Sequence, residues 1–184
     1  MHKAFFILLF FYPLISYGQV APKAPRLVSD PAAAFLESSK VVVDPVQIIH
    51  ADFDADGSED VAYADHALCG HRGNCPFYIY LRRPHGKYLE AGVIEYRSHF
   101  KVSPSRHGGG LVRTYIPGSG GGDIISYRVS SRGVREVGRR GVTLSEEPAT
   151  STAFLITRTF RGTAELPRTT ITIEDFTAAH QPGT

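Results

Sequence analysis

The chain has 184 residues and a formal net charge of +2, with 42% hydrophobic and 21% charged residues. This length predicts one domain with short tails, and the composition excludes a wholly disordered chain because enough apolar residues are present to form a core. A net charge this close to zero excludes global steering toward nucleic acid, so no nucleic-acid partner is expected.

The first 18 residues have the pattern of a secretory signal peptide. His2 and Lys3 precede an apolar run over residues 4–15, and residues 16–18 include the small side chains that a signal peptidase reads. The run is short for a membrane span, although an uncleaved anchor is the alternative. We therefore expect a mature chain without a transmembrane anchor that is periplasmic or secreted.

The rest of the chain is expected to form one domain, residues 29–176, preceded by an extended lead-in over 19–28 and followed by a flexible tail over 177–184. Ser29-Asp30-Pro31 supplies a capping side chain and a proline for a first helical turn. These residues predict a short helix over 32–38.

Runs of β-branched and aromatic residues, separated by turn residues, predict a series of strands. The predicted ranges are 40–43, 46–53, 61–64, 76–82, 88–96, 111–116, 123–130, 134–137, 153–159 and 169–173. A turn at 84–87 is expected to pair two of them as a hairpin. The series predicts a mainly β fold, an antiparallel meander or a small sandwich or blade-like sheet, with one short N-terminal helix.

Two glycine runs, residues 108–110 and 118–122, lie between predicted strands. Neither is followed by the Lys-Ser/Thr pair or the helical pattern of a phosphate-binding loop. We interpret them as flexible β connections, with nucleotide binding as the alternative.

Only two cysteines are present, in Cys69-Gly-His-Arg-Gly-Asn-Cys75. In an exported protein, two cysteines across a short glycine-containing loop predict a disulfide. The alternative is a zinc site, because His66 and His71 lie beside Cys69 and Cys75 and could supply further ligands.

The most distinctive motif is Asp52-x-Asp54-x-Asp56-Gly57-x-x-Asp60, whose aspartates occupy positions 1, 3, 5 and 9. This spacing wraps carboxylates around one cation, and hard oxygen ligands suit calcium better than a soft transition metal. Residues 41–70 contain no Lys or Arg, so the clustered negative charge also favours a bound cation. The predicted Ca²⁺ ligands are Asp52, Asp54, Asp56, Ser58 (through its carbonyl) and Asp60.

The motif differs from an EF-hand, because Tyr63 stands at position 12 in place of a bidentate Glu and residues 61–64 have strand character. Moderate affinity is therefore expected, with a Kd on the order of 10⁻⁵ to 10⁻³ M. The alternative to a metal is an Asp-rich turn held by its own hydrogen bonds.

A strand–Asp-x-Asp-x-Asp-Gly-x-x-Asp–strand sequence resembles the calcium loop of FG-GAP/VCBS repeats, the blades of integrin-like propellers. With Cys69…Cys75, the strand over 77–81 and the His107-Gly segment, residues 46–130 resemble small exported bacterial proteins that contain one such repeat. The resemblance implies calcium at the loop and no particular reaction. A full propeller is excluded, because the chain is short and contains one acidic loop.

Arginine predominates later in the chain and forms a candidate partner surface: Arg113, Arg128, Arg132, Arg135, Arg139 and Arg140. The favoured function is an exported, calcium-binding, non-enzymatic binding or inhibitor/immunity-type module that acts on an unidentified protein or envelope-glycan partner. No nucleophile elbow or His-Glu-x-x-His motif is present, and no catalytic residue is assigned. The alternatives are a calcium-dependent hydrolase around His50, His66 and His107, and a calcium sensor.

Overall fold

The computed structural model describes residues 25–39, 46–70, 74–96, 100–119, 121–143, 168–171 and 175. Within them it forms one helix, α1 (Pro31–Ser38), and ten strands. The strands are β1 (Arg26–Val28), β2 (Val46–Ala51), β3 (Asp60–Asp65), β4 (Cys75–Arg83), β5 (Lys87–Tyr96), β6 (Phe100–Pro104), β7 (Gly110–Gly118), β8 (Gly121–Ser130), β9 (Gly133–Thr143) and β10 (Arg168–Ile171). The prediction of a mainly β fold with one helix is confirmed.

The strands form two antiparallel sheets. The six-stranded sheet has the order β1-β5-β4-β3-β2-β10, and the four-stranded sheet has the order β6-β7-β8-β9. Most neighbours in each sheet are also consecutive in the chain, which is the meander expected from the short turns.

The main hydrophobic core lies between the two sheets and draws buried side chains from both, such as Ile79 and Leu81 of β4 and Ile125 and Val129 of β8. Helix α1 contributes Phe35 to a second core that contains Val61, Tyr63 and Tyr80 of the six-stranded sheet. The described residues therefore form three layers: the helix, the six-stranded sheet and the four-stranded sheet.

Helix α1 begins where its sequence predicts. The Asp30 carboxylate accepts hydrogen bonds from the backbone N–H groups of Ala32 (2.9 Å) and Ala33 (3.1 Å), and Pro31 occupies the first turn. These are the donors that a helix leaves unsatisfied at its start, so the cap fixes the boundary.

Several predicted boundaries change. The strand expected over 46–53 ends at Ala51, because the Phe53 N–H donates to the Asp60 carboxylate and not to a neighbouring strand. The last residues of the expected lead-in form β1, which pairs with β5, and β6 was not predicted at all. The predicted strands at 40–43 and 153–159, the signal peptide 1–18 and the tail 177–184 lie outside the described residues.

The predicted disulfide is present between Cys69 and Cys75. This pairing excludes the zinc alternative for these two sulfur atoms, because a disulfide sulfur is not available as a thiolate ligand. Cys75 begins β4 and Cys69 follows β3, so the disulfide closes the connection between two paired strands. Within the described ranges, no helix is long and apolar enough to cross a membrane.

Candidate metal centre and adjoining cleft

The acidic loop connects β2 to β3, and residues 53–58 have neither helical nor strand structure. Asp52 stabilises a tight turn in the loop. Its two carboxylate oxygens accept the N–H groups of Asp56 (3.0 Å) and Gly57 (2.9 Å). Gly57 has a φ of +90°, and Ala55 also has a positive φ of +56°. The glycine is therefore required by the turn, as its place in the motif predicts, and Ala55 adopts a conformation that is uncommon for a non-glycine residue.

Asp60 lies at the base of the loop and is 1% exposed. Its Oδ2 accepts the Phe53 N–H at 2.8 Å, and its Oδ1 accepts the Arg82 N–H at 2.7 Å. One carboxylate thus joins the start of the loop, the first residue of β3 and the end of β4.

Burial raises the pKa of Asp60 from 3.8 to about 7. The negative charges of Asp54 and Asp56 contribute to this rise, and the two backbone N–H donors reduce it. A nearby cation would favour the ionised form and reverse part of this effect.

Three carboxylates converge at this point. Asp52, Asp54 and Asp60 each offer an oxygen, and these oxygens lie within 4.8 Å of one another. Asp54 is 7% exposed, and its Oδ1 is buried without a hydrogen-bond partner in the described part of the chain. A buried carboxylate oxygen without a donor is energetically costly, so it fits a place where a cation would bind.

Arg83 is a loop partner that the sequence analysis missed. At the end of β4, its Nη2 donates to Asp54 Oδ2 at 2.8 Å and its Nη1 to Asp56 Oδ2 at 3.2 Å. Arg83 therefore offsets part of the negative charge of the loop, which a metal ion was expected to do. The predicted hairpin pairs the 76–82 strand with the 88–96 strand, so it does not place Arg83 beside the loop. In the structure β4 also pairs antiparallel with β3, with Tyr80 opposite Val61, and this brings the end of β4 to the loop.

The five predicted ligands are consequently not equivalent. Asp52, Asp54 and Asp60 form the cluster, whereas Asp56 turns toward Arg83 and its Oδ1 accepts the Ser58 N–H at 2.8 Å. Calcium usually takes six to eight oxygens, so about half of its shell at this site would come from carbonyls and water.

The loop is anchored to the four-stranded sheet. Phe53 is fully buried and packs edge-to-face on Phe100 of β6, with ring centroids 5.6 Å apart. Gly110 of β7 lies so close to the loop backbone that a Cβ atom there would stand 2.0 Å from the Phe53 carbonyl oxygen. The position of Asp54 therefore depends on contacts from both sheets.

A cleft of about 720 Å³ opens beside the loop. Its lining includes Asp54, Asp56 and Arg83 from the acidic loop and the end of β4. It also includes Arg128, Arg132 and Arg135, together with His107, Gly108 and Gly109.

The glycine runs lie where β6 meets β7 and where β7 meets β8, in keeping with the predicted β connections, but several of their described glycines are closely packed. The Ser105 N–H donates to the Gly109 carbonyl at 2.8 Å, and a Cβ atom on Gly109 would stand 2.3 Å from the Val129 carbonyl oxygen. In the second run, Gly118 pairs with Gly121, and the Tyr115 hydroxyl donates to the Gly121 carbonyl at 2.9 Å. Close backbone packing explains Gly109 and Gly122, whereas Gly108 has open space around it and is favoured by its positive φ.

The predicted arginine surface separates into three groups. Arg128, Arg132 and Arg135 line the cleft, whereas Arg139 donates to Glu136 and Asp123. Arg140 is exposed on β9, and Arg113 is half-buried on β7. The six residues therefore do not form a single uniform patch.

Among the described residues, the candidate histidines do not form a cluster. His107 lines the cleft, but His50 does not; its Nδ1 lies 3.4 Å from Glu59 Oε1 on the exposed side of the loop. The side chain of His66 lies outside the described residues, as does His71.

Comparison with known proteins gives no match: no family model, no curated protein and no solved structure matches this chain.

Proposed function

We propose that the protein is an exported, calcium-binding, non-enzymatic module that binds a protein or an envelope glycan. Two observations support the calcium part: oxygens of Asp52, Asp54 and Asp60 lie within 4.8 Å of one another, and the buried Oδ1 of Asp54 has no hydrogen-bond partner among the described residues. The N-terminal signal pattern supports export into a calcium-containing compartment.

A structural role for the ion follows from the position of the loop. Asp60 and Phe53 join the loop to the core between the sheets, so a cation that pulls the three carboxylates together would stiffen that junction. The loop lacks the ligand at position 12, where Tyr63 lies in β3, and this residue is buried. Metal binding is therefore expected to stabilise the domain and not to open it.

Calcium titration by calorimetry on the chain from Gln19 tests this proposal. We expect one ion per chain with a Kd on the order of 10⁻⁵ to 10⁻³ M. At a free concentration about 100-fold above Kd, calcium should raise the free energy of unfolding by about 2.7 kcal/mol. Asp52→Ala and Asp54→Ala should abolish both the heat and the stabilisation.

Glu59→Gln is the matched control, because Glu59 belongs to the same acidic loop but its side chain is 69% exposed and pairs only with His50 among the described residues. This variant should bind calcium as the native protein does. An absence of binding to the native chain, or equal stabilisation of the Asp54→Ala variant by calcium, would contradict the metal site.

The affinity for calcium should fall with acidity below about pH 7. The metal-free fold raises the pKa of Asp60, so it favours the protonated carboxyl, and its stability decreases as pH rises from about 4 to about 7. Calcium requires the ionised carboxylate and must displace that proton. Between about pH 7.5 and about pH 5.5 we expect a roughly twentyfold weaker calcium affinity by calorimetry.

His50→Gln is the control for this pH effect, because histidine side chains change charge in the same pH range and His50 lies beside Glu59. The variant should retain the pH dependence. If the calcium affinity of His50→Gln did not change with pH, the pH dependence would come from the histidine and not from Asp60.

The non-enzymatic part of the proposal is tested separately. Purified protein should not hydrolyse cell-wall or phosphoester substrates, with or without calcium. Hydrolysis that disappears in a His107→Ala variant would replace this proposal by the hydrolase alternative, because His107 lines the cleft.

A further inference from the structure

We propose that the cleft beside the acidic loop binds a ligand through a tetrahedral oxyanion, a phosphate or sulfate ester, held by Arg128, Arg132 and Arg135. Arg128 and Arg135 lie on the four-stranded sheet and Arg132 lies in the turn between β8 and β9. None of the three belongs to the acidic cluster, so the proposed anion site does not depend on calcium.

The first observation is a pair of like charges on adjacent strands. Arg128 of β8 stands directly opposite Arg135 of β9 in the antiparallel register. Side chains directly opposite each other point to the same face, with Cβ atoms about 5 Å apart, and like charges in this arrangement destabilise a sheet. A shared anion between them would remove that cost.

The second observation is that the pair has no counter-ion in the described part of the chain. Arg83 is neutralised by Asp54 and Asp56, and Arg139 by Glu136 and Asp123. Among the residues that the structure describes, Arg128 and Arg135 have no such partner, and the Nε of Arg128 is a buried donor without an acceptor. A buried donor without an acceptor indicates a place for a hydrogen-bonding ligand.

The third observation is that a hydrogen bond within the turn after β8 fixes the backbone at Arg132. The Ser130 hydroxyl accepts the Arg132 N–H at 3.2 Å, which fixes the tight connection between β8 and β9. Arg132 lines the same cleft as the cross-strand pair. Counting the cleft side chains, the four arginines (83, 128, 132 and 135) exceed Asp54 and Asp56 by two positive charges.

The chemistry of three guanidinium groups favours a phosphate or sulfate over a carboxylate. One arginine can satisfy both oxygens of a carboxylate in a bidentate pair. A phosphate ester offers three acceptor oxygens and a charge of about −1.5 to −2, which matches several donors from different directions. The cleft volume of about 720 Å³ is too large for an ion alone and falls in the range of small-molecule sites.

The test is a proton–nitrogen NMR titration in calcium chelator, at about 0.15 M ionic strength to screen distant charges. The probes are inorganic phosphate, sulfate, glucose 6-phosphate and acetate. We expect saturable shifts of the Gly108 and Gly109 amides and of the Arg128 Nε–H signal with the first three probes, and at least about tenfold weaker binding of acetate. Tighter binding of glucose 6-phosphate than of phosphate would assign a phosphorylated sugar, and equal binding would assign the free ion.

Arg135→Gln is the decisive variant, because this side chain is exposed and its replacement leaves the core intact. It should weaken phosphate binding about tenfold, and Arg128→Gln should do the same if thermal melting shows that it folds. Arg140→Gln, an exposed arginine on the same strand outside the cleft, is matched in charge and should change affinity less than about twofold.

Equal weakening by Arg135→Gln and Arg140→Gln, or acetate binding as tight as phosphate binding, would overturn the proposal. Because the titration is done in chelator, these outcomes leave the calcium proposal unaffected. Failure of calcium binding in calorimetry would likewise leave this test unaffected.

Discussion

Replacement of Asp60 by alanine is expected to lower the free energy of unfolding by about 4 kcal/mol even without calcium. The carboxylate is 1% exposed and accepts the N–H groups of Phe53 and Arg82 at 2.8 and 2.7 Å. Alanine would leave both donors without an acceptor in a place that water reaches poorly, and each buried donor costs about 1–3 kcal/mol. The variant should also detach the loop from the end of β4, because these two hydrogen bonds connect them.

Urea unfolding in the presence of chelator measures this effect apart from any metal. Asp56→Ala is the control, since Asp56 belongs to the same loop but its side chain is 40% exposed and its ion pair with Arg83 is partly in solvent. An exposed ion pair contributes at most about 1 kcal/mol, so this variant should remain close to the native stability. Asp60→Asn should be intermediate, because its single carbonyl oxygen can accept only one of the two N–H groups.

If Asp60→Ala and Asp56→Ala unfold at the same urea concentration in chelator, Asp60 would contribute to the fold only through a metal. The structure argues for both contributions. The same carboxylate holds two backbone donors and lies within the cluster formed with Asp52 and Asp54. One residue of the motif therefore connects the stability of the sheet to the proposed calcium site.

Local patterns in the sequence predict much of this fold. The N-terminal cap at Asp30, the hairpin of β4 and β5 and the disulfide all depend on residues close together in the chain, and all three are present. The edge strands were harder to recognise. β1 has three residues and β6 ends in proline, so neither offers a clear alternating pattern, and each is fixed by its pairing with β5 or β7.

The candidate site is predictable to a lesser degree, because it depends on contacts between distant segments. The aspartate spacing identifies the loop, but its ion pair with Arg83 arises from a strand more than 20 residues away. The opposition of Arg128 and Arg135 depends on the irregularity in register between Ser126 and Tyr127 and on the turn that follows. An arginine-rich sequence predicts a basic surface but not which side chains share one face.

Gly110→Ala is expected to lower the free energy of unfolding by about 3 kcal/mol, because the added methyl group has no room. It would stand 2.0 Å from the Phe53 carbonyl oxygen and 2.9 Å from the Phe53 carbonyl carbon. The strand cannot easily move away, since Gly110 pairs with Pro104 on one side and Val129 on the other. The loop must shift instead, and Asp54 shifts with it, so calcium affinity should fall about tenfold in the same variant.

Gly138→Ala is the matched control, because it makes the same change in a strand of the same sheet with open space around it. The closest atom to its added methyl group would be the Ser126 Cβ at 4.0 Å. At such a position the change from glycine to alanine is expected to leave stability unchanged or to raise it by about 0.5 kcal/mol. Thermal and urea unfolding, with calcium calorimetry, distinguish the two variants. If Gly110→Ala lost stability but kept the native calcium affinity, the packing of β7 would not determine the geometry of the loop. A parallel loss of both would show that the second sheet sets the position of the acidic carboxylates.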